Sequence, residues 1–384
     1  MEAYLDNSAT TRCYEEVRDI VVKTMMEDYG NPSAMHLKGV QAENYVKEAL
    51  QEIGKTLKVP EKEIYFTSGG TESDNWAVIG TALANQRRGK HIITTAFEHS
   101  AVSAPVKWLE ERGFEVTRVP VDEEGRLSLE EFEKSLREDT ILVTAMYVNN
   151  EVGALVPIED MGRLIHEKYL ETLFHVDAIQ AYGKYRIYPK KLHIDLLSVS
   201  SHKIHGPKGV GFLYADSRVK IHPMILGGGQ QKGMRSGTDN VPGIAGMGAA
   251  AKKIYGNLEE NIARMKELKE YFAGELGKME NTFINGPKPQ DGAPHILNVS
   301  FVGVRSEVLL HSLEDMGIYV SAGSACSSHK RGGSPTLTAA GIPQERREAA
   351  VRFSFSEFTT KEELDYTLEA LHKLVPMLRR YARK

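Results

Sequence analysis

Short apolar runs alternate with amphipathic stretches through the first two-thirds of the chain. Runs at 64–67, 92–95, 114–121, 141–148, 173–176, 194–199 and 210–214 read as strands. Helical spacing appears between several of them, at 71–84, 129–136 and 158–169. Two helices precede them, 15–27, with Val17, Ile20, Val21 and Met25 in period, and 41–57, separated by the breaker Tyr29-Gly-Asn-Pro-Ser33. Alternation at this spacing predicts crossover connections and an α/β fold, with a large, mostly parallel seven-stranded sheet between helices. After Gly256 the rhythm changes to a long amphipathic helix at 258–279, sparser strands at 296–301 and 351–355, and a helix at 361–379. We therefore expect a large domain over 15–256, and a smaller α+β domain built from 1–14 and 257–384.

Composition narrows the function more than the fold. With 41% hydrophobic and 26% charged residues in 384, the chain is an ordinary globular protein. A formal net charge of −4 offers no general attraction to nucleic acid or to an acidic membrane surface. No apolar run reaches membrane-spanning length. Its two cysteines, Cys13 and Cys326, imply neither a disulfide framework nor a zinc cluster, so no metal is expected. The N-terminus lacks the basic stretch and apolar core of a signal peptide, and a reducing, cytoplasmic setting fits.

Candidate chemistry gathers at the ends of the strand-like runs, where ligands of open α/β sheets bind. Lys203 lies in Ser198-Val-Ser-Ser-His-Lys-Ile-His-Gly-Pro-Lys-Gly209, just after the run 194–199. Desolvation beside a buried strand lowers the pKa of an amine, and a neutral amine attacks an aldehyde to hold it as a Schiff base. Ser200 and His202 add donors suited to an anion such as phosphate. In Phe66-Thr-Ser-Gly-Gly-Thr-Glu-Ser-Asp74 a glycine turn containing Gly70 opens a helix, and the Thr71 hydroxyl completes a phosphate cup. Neither a Walker lysine nor the dinucleotide fingerprint accompanies it. In His175-Val-Asp-Ala-Ile-Gln180 a buried Asp177 needs a cationic partner, such as a protonated pyridine nitrogen, and Gln180 can donate to a ring hydroxyl. His99 can stack on an aromatic ring, and Asn149-Asn-Glu-Val-Gly153 puts amides at a further strand end. Singly, each has an ordinary structural reading as a helix cap, a solvated lysine or a polar core residue. Together they specify pyridoxal 5′-phosphate.

On these residues the chain resembles the cysteine desulfurases, in the class V branch of fold-type I pyridoxal phosphate enzymes. The resemblance runs over essentially the whole length. It also rests on Asp6-Asn-Ser-Ala-Thr-Thr11, Gly30-Asn-Pro-Ser33 with His36, Met234-Arg-Ser-Gly-Thr238 and Gly323-Ser-Ala-Cys326. It implies that Lys203 is the Schiff-base lysine, that Asp177 pairs with the pyridinium nitrogen, and that Gln180 and Asn150 address the ring hydroxyl. His99 would stack over the ring and move protons. Thr71, Ser200 and His202 would hold the phosphate, helped by Thr238 from a second subunit, which implies a homodimer. Asn31 and Arg352 would grip the carboxylate of the substrate L-cysteine. A plain ion pair at the surface is the alternative for Arg352. Gly70 stands where alanine is common, a change expected to be harmless, and Gln231 where glutamate is usual, which puts any ion pair there in doubt.

Cys326 decides the reaction class. It sits among small residues, His329 and Lys330, in a glycine-rich segment that looks mobile, where nearby cations favour thiolate. The family chemistry implies that Lys203 removes the Cα proton and that Cys326 takes the sulfur as a persulfide, releasing alanine. An acceptor protein would follow, an iron–sulfur scaffold or a tRNA-thiolation protein, without direct contact to nucleic acid. A selenocysteine lyase or an aminotransferase would share most of this cofactor site. A non-catalytic scaffold would need neither the lysine nor the cysteine.

Overall fold

The computed structural model describes residues 1–322 and 333–382. The chain opens with β1 (Ala3–Tyr4) and the helices Glu15–Met26 and Leu37–Leu57. The large sheet follows, in β2 (Ile64–Thr67), β3 (His91–Thr95), β4 (Glu115–Val119), β5 (Thr140–Met146), β6 (Leu173–Asp177), β7 (Leu196–Ser200) and β8 (Gly211–Ala215). Among the described residues it has seven strands in the order β2-β8-β7-β6-β5-β3-β4. Only β8 runs against its neighbours, and every other pairing is parallel. The residues of β3, β5, β7 and β8 are buried throughout, so these strands read in the sequence as nearly continuous apolar runs.

Two helical stretches depart from the sequence pattern. The helix expected at 71–84 is Gly70–Asn75, a π turn over Trp76–Gly80, and Thr81–Asn85. The π turn coincides with the close approach of His222, whose carbonyl accepts from Trp76 Nε1 at 2.8 Å. The unanticipated helix Ser100–Glu110 carries Pro105 in its interior. Proline cannot donate to the carbonyl four residues back. Here that carbonyl, of Ala101, accepts from Asn75 Nδ2 at 3.3 Å instead.

The C-terminal part adds β9 (Thr282–Asn285), β10 (Ile296–Phe301), β11 (Ile318–Tyr319) and β12 (Ala350–Ser354). An antiparallel sheet in the order β12-β10-β9 stands beside the parallel pair β1-β11. One core gathers Phe66, Phe174, Leu197 and Phe212 of the large sheet. Another unites Ala3 and Leu5 with Phe272, Val299, Phe353 and Leu371. Ala293, Ile296 and Ala350 nevertheless pack into the first core, so the two parts share side chains.

Where the large sheet ends at β2, Gln231 covers the edge. Its Oε1 accepts from Phe66 N at 2.6 Å and its Nε2 donates to Phe66 O at 3.0 Å. Glutamate would satisfy only the donor. Gln231 thus needs no ion pair at this position.

Residues 6–14 cross from the second core to the end of β7 as a strap. Thr11 donates from its backbone and from Oγ1 to the carbonyl of His202, at 2.9 and 2.8 Å, and Oγ1 accepts from His205 N at 2.8 Å. His205 Nδ1 meets Arg12 O at 2.7 Å, and Cys13 Sγ lies 3.1 Å from Gly206 O. Thr11→Val retains the shape and removes both hydroxyl bonds. It is expected to cost about 1–3 kcal/mol, because the buried His205 N–H loses its acceptor. The check is a lower urea midpoint at unchanged slope.

Candidate active site

Five strand ends converge on one cavity of about 260 Å³, near the small end for ligand pockets. Past β2 come Gly70 and Thr71; past β3, His99; past β5, Val148 and Asn150; past β6, Asp177, Ile179 and Gln180; past β7, Ser200, His202 and Lys203. Ser8 and Ala9 of the strap and Arg352 of β12 close it. Ten of the thirteen residues singled out in the sequence line this cavity. Asn31 and Thr238 are exposed and do not line the cavity, and Cys326 lies outside the described residues.

Lys203 Nζ donates to the carbonyl of Ala9 at 2.8 Å and to that of Ser8. No motif pattern announced this partner, because it is backbone. Asp177 ends β6, the strand next to β7. Burial pushes its carboxyl up to about 6, against the opposing pull of the Ile179 N–H and the Lys203 charge. Gln180 gives one amide hydrogen to Ser8 O at 3.0 Å and keeps a second.

His99 caps the helix that follows it, its Nδ1 accepting from Ala101 N at 3.1 Å. An accepting Nδ1 places the proton of the neutral ring on Nε2. Burial and then Lys203 hold the ring below the ordinary histidine range. His202 is likewise driven down to about 4, first by burial and then by Lys203, Lys208 and Lys184, so it meets an anion as a neutral N–H donor.

Arg352 is not a surface ion pair, being only 2% exposed. Its Nη2 donates to Asp6 Oδ1 at 2.8 Å and its Nη1 to Asn150 O at 2.9 Å, while Nε has no hydrogen-bond partner among the described residues. A Cβ on Gly70 would come within 2.2 Å of Ile179 Cδ1. Alanine there is tolerated only if Ile179, which lines the cavity, rotates away.

Beneath the floor lie groups that motif reading did not assign. Asp74 is completely buried and sits 3.6 Å from His175 Nε2. Burial first, and then the Asp177 charge, raises its carboxyl well above the usual range. His175 spans Thr144 and Ser198 at 2.8 and 2.9 Å, and burial drives it down to about 3, so it is neutral. Glu98 accepts from Thr95 Oγ1 at 2.5 Å and from Met146 N at 2.9 Å, and burial lifts it to about 8. The site thus carries a surplus of acid on one side and a lysine held by neutral carbonyls on the other. A group with a cationic ring nitrogen and an anionic phosphate suits both sides.

The Aminotransferase class-V family matches residues 3–367. The chain belongs to this family, among its cysteine desulfurases. It is similar to the cysteine desulfurase IscS of Dictyoglomus turgidum, 42% identical over 98% of this chain and 95% of that relative. Among solved structures, a NifS-like protein superposes with a TM-score of 0.93 at 40% identity, covering 98% of this chain and all of the other. SspA, solved in complex with cysteine, gives a TM-score of 0.81 at 32% identity, covering 93% and 100%. Pyridoxal phosphate use is a general property of class-V aminotransferases, and the acid-floored, lysine-roofed cavity fits it.

Glu98 yields a pH prediction. In the fold it holds its proton to about 8, against an ordinary 4.5. Between those values the unfolded chain is the one that has lost the proton. Folding stability must therefore fall as pH rises, by about 1.4 kcal/mol per unit from this group, and then level off. Glu98→Gln keeps the acceptor for Thr95 and Met146 and removes the titration. Its melting temperature should decline less between pH 5 and 8 than that of the cofactor-free wild type; parallel profiles would show that Glu98 does not titrate there.

Proposed function

We propose that this chain removes the sulfur of L-cysteine, leaving alanine and a persulfide on Cys326. The observation that carries the proposal is the placement of Lys203 and Asp177 at neighbouring strand ends in one cavity with Arg352. Bound pyridoxal phosphate supplies an aldehyde that condenses with amines and a ring that accepts electrons from a Cα–H bond. Lys203 Nζ would be the amine that holds the cofactor and the base for the Cα proton. Asp177 presents a carboxylate to the ring nitrogen, where a positive partner offsets the cost of its burial. Thr71, Ser200 and His202 donate to the phosphate, Gln180 and Asn150 address the ring hydroxyl, and Gly70 leaves the backbone room to approach. His99 stacks and offers its Nε2 proton. Arg352 orients the substrate carboxylate, assisted by Asn31. The Cys326 thiolate attacks the substrate sulfur; an S–S bond forms as the C–S bond breaks, and the carbon takes up a proton to leave as alanine.

A second copy of the chain completes the site in this reading. One chain leaves Met25, Met26, Tyr29, Met35 and Leu37 exposed, as well as Met224 and Leu226, apolar side chains that a second copy would cover. Thr238 would reach the partner's phosphate site from there. The division at 14/15 and 256/257 belongs to the same proposal and is supported by the second core, although Tyr14, Ala293, Ile296 and Ala350 pack into the first. So do cytoplasmic action and delivery of sulfur to an iron–sulfur scaffold or a tRNA-thiolation protein. Among the described residues, no helix is long and apolar enough to cross a membrane.

Purified protein given L-cysteine and a reductant should release alanine and sulfide in equal amounts. Cys326→Ala should abolish both products while keeping the yellow colour, and Lys203→Ala should lose the colour. Undiminished alanine from Cys326→Ala would instead make the reaction that of a lyase that needs no thiol. Sedimentation should give twice the chain mass, and Leu37→Glu should shift the protein toward monomer; a wild-type monomer with full activity would remove Thr238 from the site.

A further inference from the structure

A second lysine lies buried directly behind the first. Lys184 follows the turn after β6, is only 6% exposed, and donates from Nζ to the backbone carbonyl of Lys203 at 2.5 Å. Its side chain borders a cavity of about 10 Å³, room for about one water, shared with Asn7, His205, His295 and Glu357. Nothing in the proposed reaction uses it. Gly183, at φ +78, brings the chain close behind Lys203; a Cβ there would lie 2.9 Å from Ile204 Cγ2.

The charged and titratable groups that face Lys184 come from several segments. Burial lowers its amine to about 7, Lys203 pushes it the same way, and Glu357 pulls against them. Lys184 in turn helps to hold His202 and His205 down to about 4 and His295 well below its ordinary value, with burial the larger cause in each. Lys253 acts on His205 and Glu357 from the helix Val241–Gly256. Charge repulsion is mutual, so what Lys203 does to Lys184 is returned.

We propose that Lys184 is a positioning residue for the cofactor lysine: its Nζ fixes the Lys203 backbone through the carbonyl and, whenever it is protonated, disfavours a second positive charge on the Lys203 amine. This rests on the reading of Lys203 as the Schiff-base residue. It deepens that reading by naming what keeps the amine reactive at neutral pH in a pocket that holds it with carbonyl acceptors. The hydrogen bond and the charge are separable. Glutamine retains a donor without the charge, methionine retains bulk alone, and arginine retains both charge and donor.

The test is the pH dependence of Lys203 acylation by acetic anhydride, followed on its own peptide by mass spectrometry, in full-length protein freed of cofactor. In Lys184→Gln and Lys184→Met the midpoint is expected to rise by about one pH unit, about a tenfold slowing near neutrality, and in Lys184→Arg to stay near wild type. An unchanged midpoint in the neutral variants overturns the proposal, as does an equal shift in all three. Should the neutral variants fail to melt cooperatively, a wild-type Lys203 midpoint equal to that of an ordinary exposed lysine overturns it too. Added pyridoxal phosphate must block acylation of Lys203 in the wild type. If it does not, the cofactor reading fails, while the comparison of midpoints still decides the role of Lys184.

Discussion

Holding positive charge out of water against backbone oxygens is the constraint on which this structure turns. Lys203 is held by the carbonyls of Ser8 and Ala9, and Lys184 by the carbonyl of Lys203. A carbonyl replaces lost water but cancels no charge. Such an arrangement stands only if the oxygens are rigidly placed, and here the strap supplies that rigidity. Thr11 and His205 tie it to the end of β7, and Asn7 Nδ2 ties it to Ser354 O of β12 at 3.0 Å. The first residues of the chain pack their apolar side into the C-terminal core, yet their carbonyls furnish the acceptors of a site built by the large sheet.

The acids answer from the opposite side. Asp74, Asp177 and Glu98 are all buried, and burial raises all three. Glu98, lifted to about 8, keeps its proton in the neutral range, and Asp74 is pushed in the same direction. Asp177 is also raised, to about 6, with the Ile179 N–H and the Lys203 charge opposing its burial. A lowered charge on acids and histidines alike is thus what the surroundings impose. It arises from desolvation first and pairwise contacts second.

Much of this was legible in the sequence where burial leaves a local trace. The strands β3, β5, β7 and β8 are covered on both faces, so their apolar runs announce them. Polar residues interrupting or following such runs, Asp177, Ser200 and Lys203, stood out for the same reason. Ser100–Glu110 was not legible, because the cost of Pro105 is offset by Asn75, a contact made only in the folded chain. Nothing in the sequence singled out Lys184, whose hydrogen-bond acceptor is a carbonyl 19 residues on. The strap has no hydrophobic period, and its partners Gln180, His202 and Lys203 stand far along the chain. Interactions made through backbone oxygens leave no mark in side-chain identity.

Arg352 shows how the two parts of the chain are made to depend on each other. It rises from β12, pairs with Asp6 of the strap and donates to the carbonyl of Asn150 past β5. Removing its charge would leave Asp6 without its ion-pair partner beside a buried surface, which costs more than the pair itself contributes. The same two contacts settle the plane of the guanidinium while leaving Nε unpaired. A carboxylate entering the cavity under the proposed reading would meet a donor whose orientation is already fixed, so little ordering remains to oppose binding. The ion pair that joins the two cores is therefore also the one that prepares the site for its substrate.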